Sequence, residues 1–451
     1  MDKRSKIAIL GYGVEGKAML QYLLEHGFYE LTVCDQNVNL KDEFPEGVSS
    51  RLGHDYLNDL SDFEFILRSP GIPFLQPEIQ SAKAYGVEVS SSTNFFMDQC
   101  PCPVIGVTGT KGKGTTCSLI YEMLSKGEKD VFLGGNIGKS PMEFLDDLKG
   151  DDLVILELSS FQLQDLSKSP RYAVMLNTTS DHLDYHVDKD EYMRAKEQLL
   201  AHQHKDSLAV LNKDYEYVKY YSTLVKGMLK YVSVGHKVED SAYVMNGVIY
   251  YGDEEIVKVA EVALVGSHNL ENILPAVVIA KELGVKNTDI AEVIRTFKNL
   301  PYRLEFIREL KGVKFYNDSC STNPETSMAA VDSFEEPTVL IAGGSDKGAN
   351  YDEWALKILT KPNLHTVILM GATADKMEKT LVEAEEKLGE AEGSPTKILR
   401  RKRMEDCVID AYAETVEGGV VVLSPAAASF DMFENYKERG NEFTSHVKKL
   451  K

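Results

Sequence analysis

Residues 104–124 constrain this chain more than any other stretch. An apolar run, Val104-Ile105-Gly106-Val107-Thr108, stops at Gly109-Thr110-Lys111-Gly112-Lys113-Gly114-Thr115-Thr116, and a helical pattern then runs through Leu124. A buried strand handing over to a helix through a glycine-rich turn belongs to a parallel sheet covered by helices. The turn also aims backbone N–H groups and the positive end of the helix dipole at one spot, which suits a nucleotide phosphate. Lys113 adds a point charge there. The strict phosphate-loop pattern fails twice: five residues rather than four separate Gly106 from Gly112, and Gly114 stands where Ser or Thr follows the lysine. Thr115 or Thr116 is then the hydroxyl expected nearest a magnesium ion.

The N-terminus repeats the alternation. Lys6 to Leu10 reads as a strand, Gly11-Tyr12-Gly13-Val14-Glu15-Gly16 follows at once, and Lys17 to His26 reads as a helix ended by Gly27. Glu30 to Cys34 is a second strand, stopping at Asp35. This is the glycine fingerprint of a βαβ unit with an acid about 20 positions on. The glycines serve a tight turn, close approach to a phosphate, and helix–strand packing. The pattern fits a dinucleotide or a UDP-sugar equally.

Other strands end in chemistry-bearing loops. Asp152 to Leu156 runs into Glu157, and an acid at a strand's carboxyl end downstream of a phosphate loop is where a magnesium ligand belongs. Ala173 to Leu176 runs into a polar loop with His182 and Asp184; His182 and His186 are four apart, but no H-E-x-x-H helix surrounds them. Lys196, taken alone, reads as an exposed helix lysine. Gln99-Cys100-Pro101-Cys102-Pro103 reads as a linker, with no second thiol pair at zinc spacing. After Asn299-Leu300-Pro301 come three more apolar strands, 314–317, 339–342 and 420–423. They lead into Asp318-Ser319-Cys320-Ser321-Thr322-Asn323-Pro324, Gly343 to Gly348, and Ser424 to Asp431, loops that share one carboxyl edge in an open parallel sheet. Ala384 to Ser394, rich in Glu and Lys, reads as a solvated helix face. The expected class is α/β in three domains: a Rossmann-like 1–98, a central phosphate-loop ATPase-type 99–300 with a mostly parallel sheet, and a Rossmann-like 301–451.

Composition removes other classes. Seventy acidic against 50 basic residues leave a net charge of −20, a field that repels nucleic acid. The four apolar residues Ile7 to Leu10 are too short for a signal core or a membrane span, and six cysteines in 451 residues are too sparse for a disulfide scaffold. A cytoplasmic enzyme with no membrane span is expected.

Taken in order, several motifs together resemble the Mur ligase family of peptidoglycan synthesis. They are Gly109-Thr110-Lys111-Gly112-Lys113, Glu157-Leu158-Ser159-Ser160-Phe161-Gln162-Leu163, His268-Asn269-Leu270-Glu271-Asn272, Pro301-Tyr302-Arg303-Leu304-Glu305, Asn317-Asp318-Ser319 with Thr322-Asn323-Pro324, and Arg439-Gly440-Asn441-Glu442-Phe443. The resemblance covers nearly the whole chain. It implies an ATP- and magnesium-dependent amide ligase acting through an acyl phosphate, and within the family the glycine-rich start and S-S-F-Q-L run point to UDP-N-acetylmuramoyl-L-alanine and D-glutamate as substrates.

The resemblance also assigns expected roles. Gly13, Val14, Glu15, Gly16, Asp35, Ser69 and Gly71 would bind the UDP substrate, with Asn136 on the substrate side. Thr110, Lys111, Gly112, Lys113, Gly114, Thr115 and Thr116 would hold the ATP phosphates, with Asn272 facing adenine and Arg303 and Asp318 closing on the nucleotide. Lys113, Glu157, His182 and Lys196 would be catalytic. Thr115, Glu157, His182 and a carbamylated Lys196 would hold two magnesium ions. Thr322, Lys347, Ser429 and Phe430 would surround D-glutamate, and the working form would be a monomer. Two departures stand out: Gly114 replaces a magnesium-side hydroxyl, and Cys320 occupies a position where relatives often carry lysine, leaving Lys347 as the clearest cation for D-glutamate. Alternatives are a ligase of Mur or folyl type with another amino acid, and an NAD-dependent dehydrogenase, which would leave the second glycine loop and Glu157 unexplained.

Overall fold

The computed structural model describes residues 2–178, 186–388 and 396–451. Among them the chain forms three α/β sheets and one small antiparallel sheet. The first contains β1 (Ile7–Leu10), β2 (Leu31–Asp35), β3 (Ser49–Leu52), β4 (Phe65–Arg68) and β5 (Glu88–Ser91), in the order β3-β2-β1-β4-β5. All its pairings are parallel. The order reverses at β1, and a crevice opens beyond the strand ends at such a switch point.

The second sheet contains β6 (Val104–Thr108), β7 (Val131–Gly135), β8 (Leu153–Glu157), β9 (Tyr172–Met175), β10 (Leu208–Asn212) and β11 (Met228–Val232), in the order β11-β10-β9-β6-β8-β7. It too is wholly parallel. β6 lies between β8 and β9 with all five residues buried, so its unbroken apolar run reflects burial on both faces. Beside this sheet, β12 (Ala242–Met245), β13 (Val248–Tyr251) and β14 (Glu254–Lys258) form an antiparallel meander.

The last sheet contains β15 (Glu305–Leu310), β16 (Val313–Asn317), β17 (Thr338–Ala342), β18 (Leu364–Leu369), β19 (Lys397–Arg400) and β20 (Val420–Leu423), in the order β15-β16-β20-β17-β18-β19. Only β15, at the edge, is antiparallel. The α/β reading with parallel sheets is thus borne out. The helix Ala374–Leu388 buries Ala384 and exposes Glu385, Glu386 and Lys387; the rest of the predicted solvated face, 389–394, lies outside the described residues.

Contacts divide the chain into two compact units, residues 1–261 with 270–295, and residues 262–269 with 296–451. The first two sheets fall in one unit because they share a core. Ile9, Leu20 and Phe96 from the N-terminal side belong to the same buried cluster as Val104, Met142, Phe144 and Leu156 from the central side. The expected boundary near residue 98 therefore separates two sheets but not two hydrophobic cores. No helix among the described residues is long and apolar enough to cross a membrane.

Candidate active site

The glycine loop lies at the carboxyl end of β6, in the middle of its sheet. Gly109 has φ 155°, and a Cβ there would fall 2.6 Å from Leu176 Cβ. Gly112, with φ 86°, caps the helix Lys113–Leu124, and its Cβ would fall 2.0 Å from Asn272 Oδ1. Both positions demand glycine, sterically and by backbone conformation. Asn272 packs against the loop itself, and its carbonyl accepts from Thr116 Oγ1 at 3.3 Å. Thr116 is fully buried, whereas Thr115 is half-exposed and leaves its hydroxyl nearer solvent. Lys113 Nζ folds over the turn, donating to the carbonyls of Gly109 and Thr110 at 3.0 Å each.

Lys196 also reaches this loop. The sequence taken alone reads it as a surface lysine; it is 1% exposed, on the helix Lys189–Ala201. Its Nζ donates to Gly109 O at 2.9 Å and Thr108 Oγ1 at 3.3 Å, and lies 4.7 Å from the Tyr192 ring centre. Tyr192 in turn places its hydroxyl 2.9 Å from Thr110 Oγ1. Two strands away from β9, Glu157 ends β8 buried, with Oε1 accepting from Asn136 Nδ2 at 2.9 Å. Asn136 is fixed in turn by its N–H on Glu157 O, also 2.9 Å. His182 lies outside the described residues, so its expected place beside Glu157 stays an expectation.

Beyond the glycine loop is a polar network whose connections are not visible in the sequence. Ser159 and Gln162 form a reciprocal capping box over the short helix Ser160–Leu163. His186 is buried between Glu191 on Nδ1 and Ser160 Oγ on Nε2, and it stacks on Phe161. Gln162 Nε2 donates to Glu15 Oε1 at 2.7 Å, and Ser92 contacts the other oxygen. Burial raises the Glu15 pKa, with these hydrogen bonds opposing it. Arg68, at the end of β4, pairs with Asp165 at 2.8 Å and donates to Phe161 O and Ile72 O. A lone arginine closing the apolar run Phe65-Ile66-Leu67 was the available sequence signal.

The N-terminal glycine loop opens into a cavity of about 500 Å³, lined by Gly11, Gly13, Val14, Glu15, Asp35, Ser69 and Gly71 among others. Gly16 does not line it; a Cβ there would fall 1.9 Å from Gly11 O, so this glycine serves helix–strand packing. Gly13, at the helix start, has nothing within 4 Å of an added Cβ, which leaves its backbone open to a ligand. The Asp35 carboxylate accepts from the N–H groups of Tyr12 at 2.7 Å and Asn37 at 2.8 Å. Glu15 turns its carboxylate toward Ser92 and Gln162.

In the other unit, the carboxyl ends of β16, β17 and β20 bring the remaining predicted loops to one edge. Asp318 is buried, accepting from Leu304 N at 3.1 Å, Ser321 Oγ at 2.5 Å and Ser424 Oγ at 2.7 Å. Burial, partly offset by those bonds, pushes its pKa up to about 6. Arg303 is exposed between Tyr302 (φ 64°) and Leu304 (φ 45°), two non-glycine residues in left-handed conformation. Lys347 Nζ stands 5.3 Å from the Phe430 ring centre, while the neighbouring Asp346 pairs with Lys376. Thr322 is exposed and Ser429 buried. Arg439, also buried, joins two of these loops, donating to Ser319 O at 2.8 Å and to the carbonyls of Ala427 and Ala428. Burial lowers its pKa to about 10.

Comparison with known proteins agrees with this layout. Residues 107–280 match the model of the Mur ligase middle domain, and residues 5–91 that of the MurD-like N-terminal domain of Mur ligases. The chain is 37% identical to the UDP-N-acetylmuramoylalanine–D-glutamate ligase of Acetivibrio thermocellus, over 99% of this chain and 97% of that one. It is 37% identical to the ligase of the same name from Symbiobacterium thermophilum, over 99% and 98%. Among solved structures it is similar to the UDP-N-acetylmuramate-alanine ligase MurC of Thermotoga maritima, with a TM-score of 0.61, 18% identity, and coverage of 99% and 100%. The MurF ligase of Thermotoga maritima in complex with ADP gives 0.59 at 17% identity, covering 99% and 96%.

Proposed function

This chain belongs to the Mur ligase family, and on that footing we propose that it joins D-glutamate to UDP-N-acetylmuramoyl-L-alanine, converting ATP to ADP and phosphate, in the cytoplasmic assembly of a peptidoglycan precursor. Identity along the whole chain to D-glutamate ligases carries the reading, because it includes the amino-acid side as well as the nucleotide side.

The chemistry begins with two anions. The substrate carboxylate takes the γ-phosphoryl group of ATP, and the amine of D-glutamate then attacks the acyl phosphate carbonyl; the tetrahedral intermediate collapses to an amide and phosphate. Catalysis of phosphoryl transfer rests on positioning and concentrated positive charge. Lys113 supplies charge where the loop N–H groups converge, its ammonium held over the turn by the carbonyls of Gly109 and Thr110. The Gly13 backbone and Asp35 hold the uridine diphosphate end.

Buried Glu157 and half-exposed Thr115 are hard oxygen donors of the kind magnesium takes. With His182 and a carbamylated Lys196 they would hold the ions, which supply Lewis acidity between the reacting anions. Lys196 suits carbamylation in two respects. It is almost wholly buried beside the loop, and a carbamate keeps one N–H that can retain the bond to Gly109 O. Thr322, Lys347, Ser429 and Phe430 surround D-glutamate, with Lys347 facing a carboxylate. A monomer without nucleic-acid partners is the expected working form.

Phosphate release with ATP and UDP-N-acetylmuramoyl-L-alanine, measured against a panel of amino acids, tests the proposal. D-Glutamate should be the acceptor that sustains turnover. Release sustained by another amino acid and not by D-glutamate would move the chain to a different member activity of the family.

A further inference from the structure

Four of the six cysteines are buried, and all are free thiols. Cys100 and Cys102 differ from the rest in facing each other. Their Sγ atoms are 3.7 Å apart, and the Cys100 Sγ is also 3.5 Å from Cys102 O. Both belong to the linker Cys100-Pro101-Cys102-Pro103, between the helix Ser92–Gln99 and β6. The linker is held at its start by Cys100 N on Phe96 O at 2.8 Å, and Pro101 and Pro103 each fix φ. Cys102 is buried in the shared core with Phe96, Met97 and Val104, whereas Cys100 is half-exposed. One thiol is therefore reachable and the other is stationed behind it.

We propose that Cys100 and Cys102 form a thiol-modification site, at which Cys100 attacks a small-molecule disulfide and Cys102 resolves the product into a Cys100–Cys102 disulfide. In the first step the Cys100 thiolate bonds to one sulfur of RSSR and expels RS⁻. In the second, Cys102 gives up its proton and attacks Cys100 Sγ, expelling the second RS⁻. The sum is two protein thiols plus RSSR giving one protein disulfide plus two RSH, so the disulfide reagent is the oxidant and atoms and electrons balance. Closure needs the sulfurs to approach from 3.7 Å to a bonding distance of about 2.05 Å.

The surroundings assign the order of attack. A hydrogen bond from the Cys102 thiol, against the cost of burial and with Lys168 adding a favourable charge, brings the Cys100 pKa down to about 7. The hydrogen bond, burial, and the charges of Cys100 and Asp152 push the Cys102 thiol up. Burial likewise pushes the thiols of Cys34 and Cys407 up to about 12 and raises that of Cys117. The half-exposed position of Cys100 and the burial of Cys102 give the same order of attack.

Full-length reduced protein treated with oxidised glutathione, then alkylated and digested, tests this directly. The expected product is one peptide carrying Cys100 and Cys102 two hydrogens lighter and refractory to alkylation. Cys102→Ser should instead retain glutathione on Cys100, and Cys100→Ser should leave Cys102 reduced. Since Cys102 is buried, the unaltered protein provides a second measurement: alkylation of Cys100 by iodoacetamide should level off above about pH 8, while an ordinary thiol keeps accelerating through pH 9. A wild-type protein that keeps the mixed disulfide without closing it, that reacts first at Cys320, or whose Cys100 alkylation rises through pH 9 would overturn the proposal.

Discussion

Lys196 is long, cationic and 1% exposed, and it lies among the Gly109 carbonyl, the Thr108 hydroxyl and the Tyr192 ring. Nothing in Met193-Arg194-Ala195-Lys196-Glu197 distinguishes it from a solvated lysine, because what buries it are partners 88 and 87 residues away in the chain. Only resemblance to a family singled it out. If its function is that of a carbamate, Lys196→Ala should lose at least roughly 10²-fold in kcat, and added acetate should restore part of the loss by supplying an anion. Lys196→Arg keeps the charge but cannot be carbamylated, so it should remain inactive; turnover near the wild-type rate in Lys196→Arg would show that a cation suffices. Lys347 was legible in a different way, as the charge in a glycine-rich turn at a strand end, and it stands over Phe430 rather than pairing with Asp346. A charge-assisted contact contributes about 1.5–3 kcal/mol, and the exposure of Lys347 places it at the low end. Lys347→Met should raise the KM for D-glutamate by roughly 10-fold and leave that for ATP nearly unchanged. A rise confined to ATP would assign the lysine to the nucleotide.

At the scale of elements, the sequence was most informative where a strand ends. The runs at 104–107, 153–156 and 420–423 are apolar because both faces of their sheets are covered, and each gives way to a hydroxyl or a carboxylate. What it did not disclose were the ties between elements. Arg68 and Asp165 are 97 residues apart, and Arg439 reaches Ser319 across 120; neither pair leaves a periodic trace. The Arg68–Asp165 pair joins β4 to the segment after the Ser160–Leu163 helix, with side chains 0% and 4% exposed. Removing one member of such a pair leaves the other charge buried, at a cost of about 3–5 kcal/mol, whereas replacing both with apolar groups is often close to neutral. Arg68→Met alone should therefore destabilise the unit by about that amount in urea unfolding, and Arg68→Met with Asp165→Leu should recover much of it. A double variant no better than the sum of the two single ones would mean that Arg68 acts through Phe161 O and Ile72 O instead of the carboxylate.

For the whole molecule, the N-terminal and central sheets cluster into one compact unit and the last sheet into another, and the reason is hydrophobic rather than topological. Phe96 and Val104, on either side of the linker, share one buried cluster, while the last sheet keeps cores of its own built on residues such as Trp354, Leu369 and Phe443. Hydrophobic periodicity shows which residues are buried within an element, but not which sheets bury against each other. Two units with separate cores can unfold separately, and Asp318 provides a label for one of them. Its carboxyl ordinarily titrates at 3.8 and is pushed up to about 6 in the fold. Between those values the unfolded chain has released the proton while the folded unit still holds it, so the folded state binds more protons and stability falls as pH rises. This group's contribution is greatest below about pH 4 and is lost as pH passes 6, a change of roughly 3 kcal/mol at 1.36 kcal/mol per pH unit. Arg439 titrates near 10 and does not enter that window. Asp318→Asn has no proton to release, and its Ser321 and Ser424 hydroxyls can rotate to accept from the amide. Calorimetry of both proteins from pH 4 to pH 7 should resolve a transition whose decline with pH is steeper in wild type than in Asp318→Asn, with the other transition unaffected by the substitution. Identical slopes in both proteins would place the Asp318 pKa near its ordinary value and show that its three hydrogen bonds fully offset its burial.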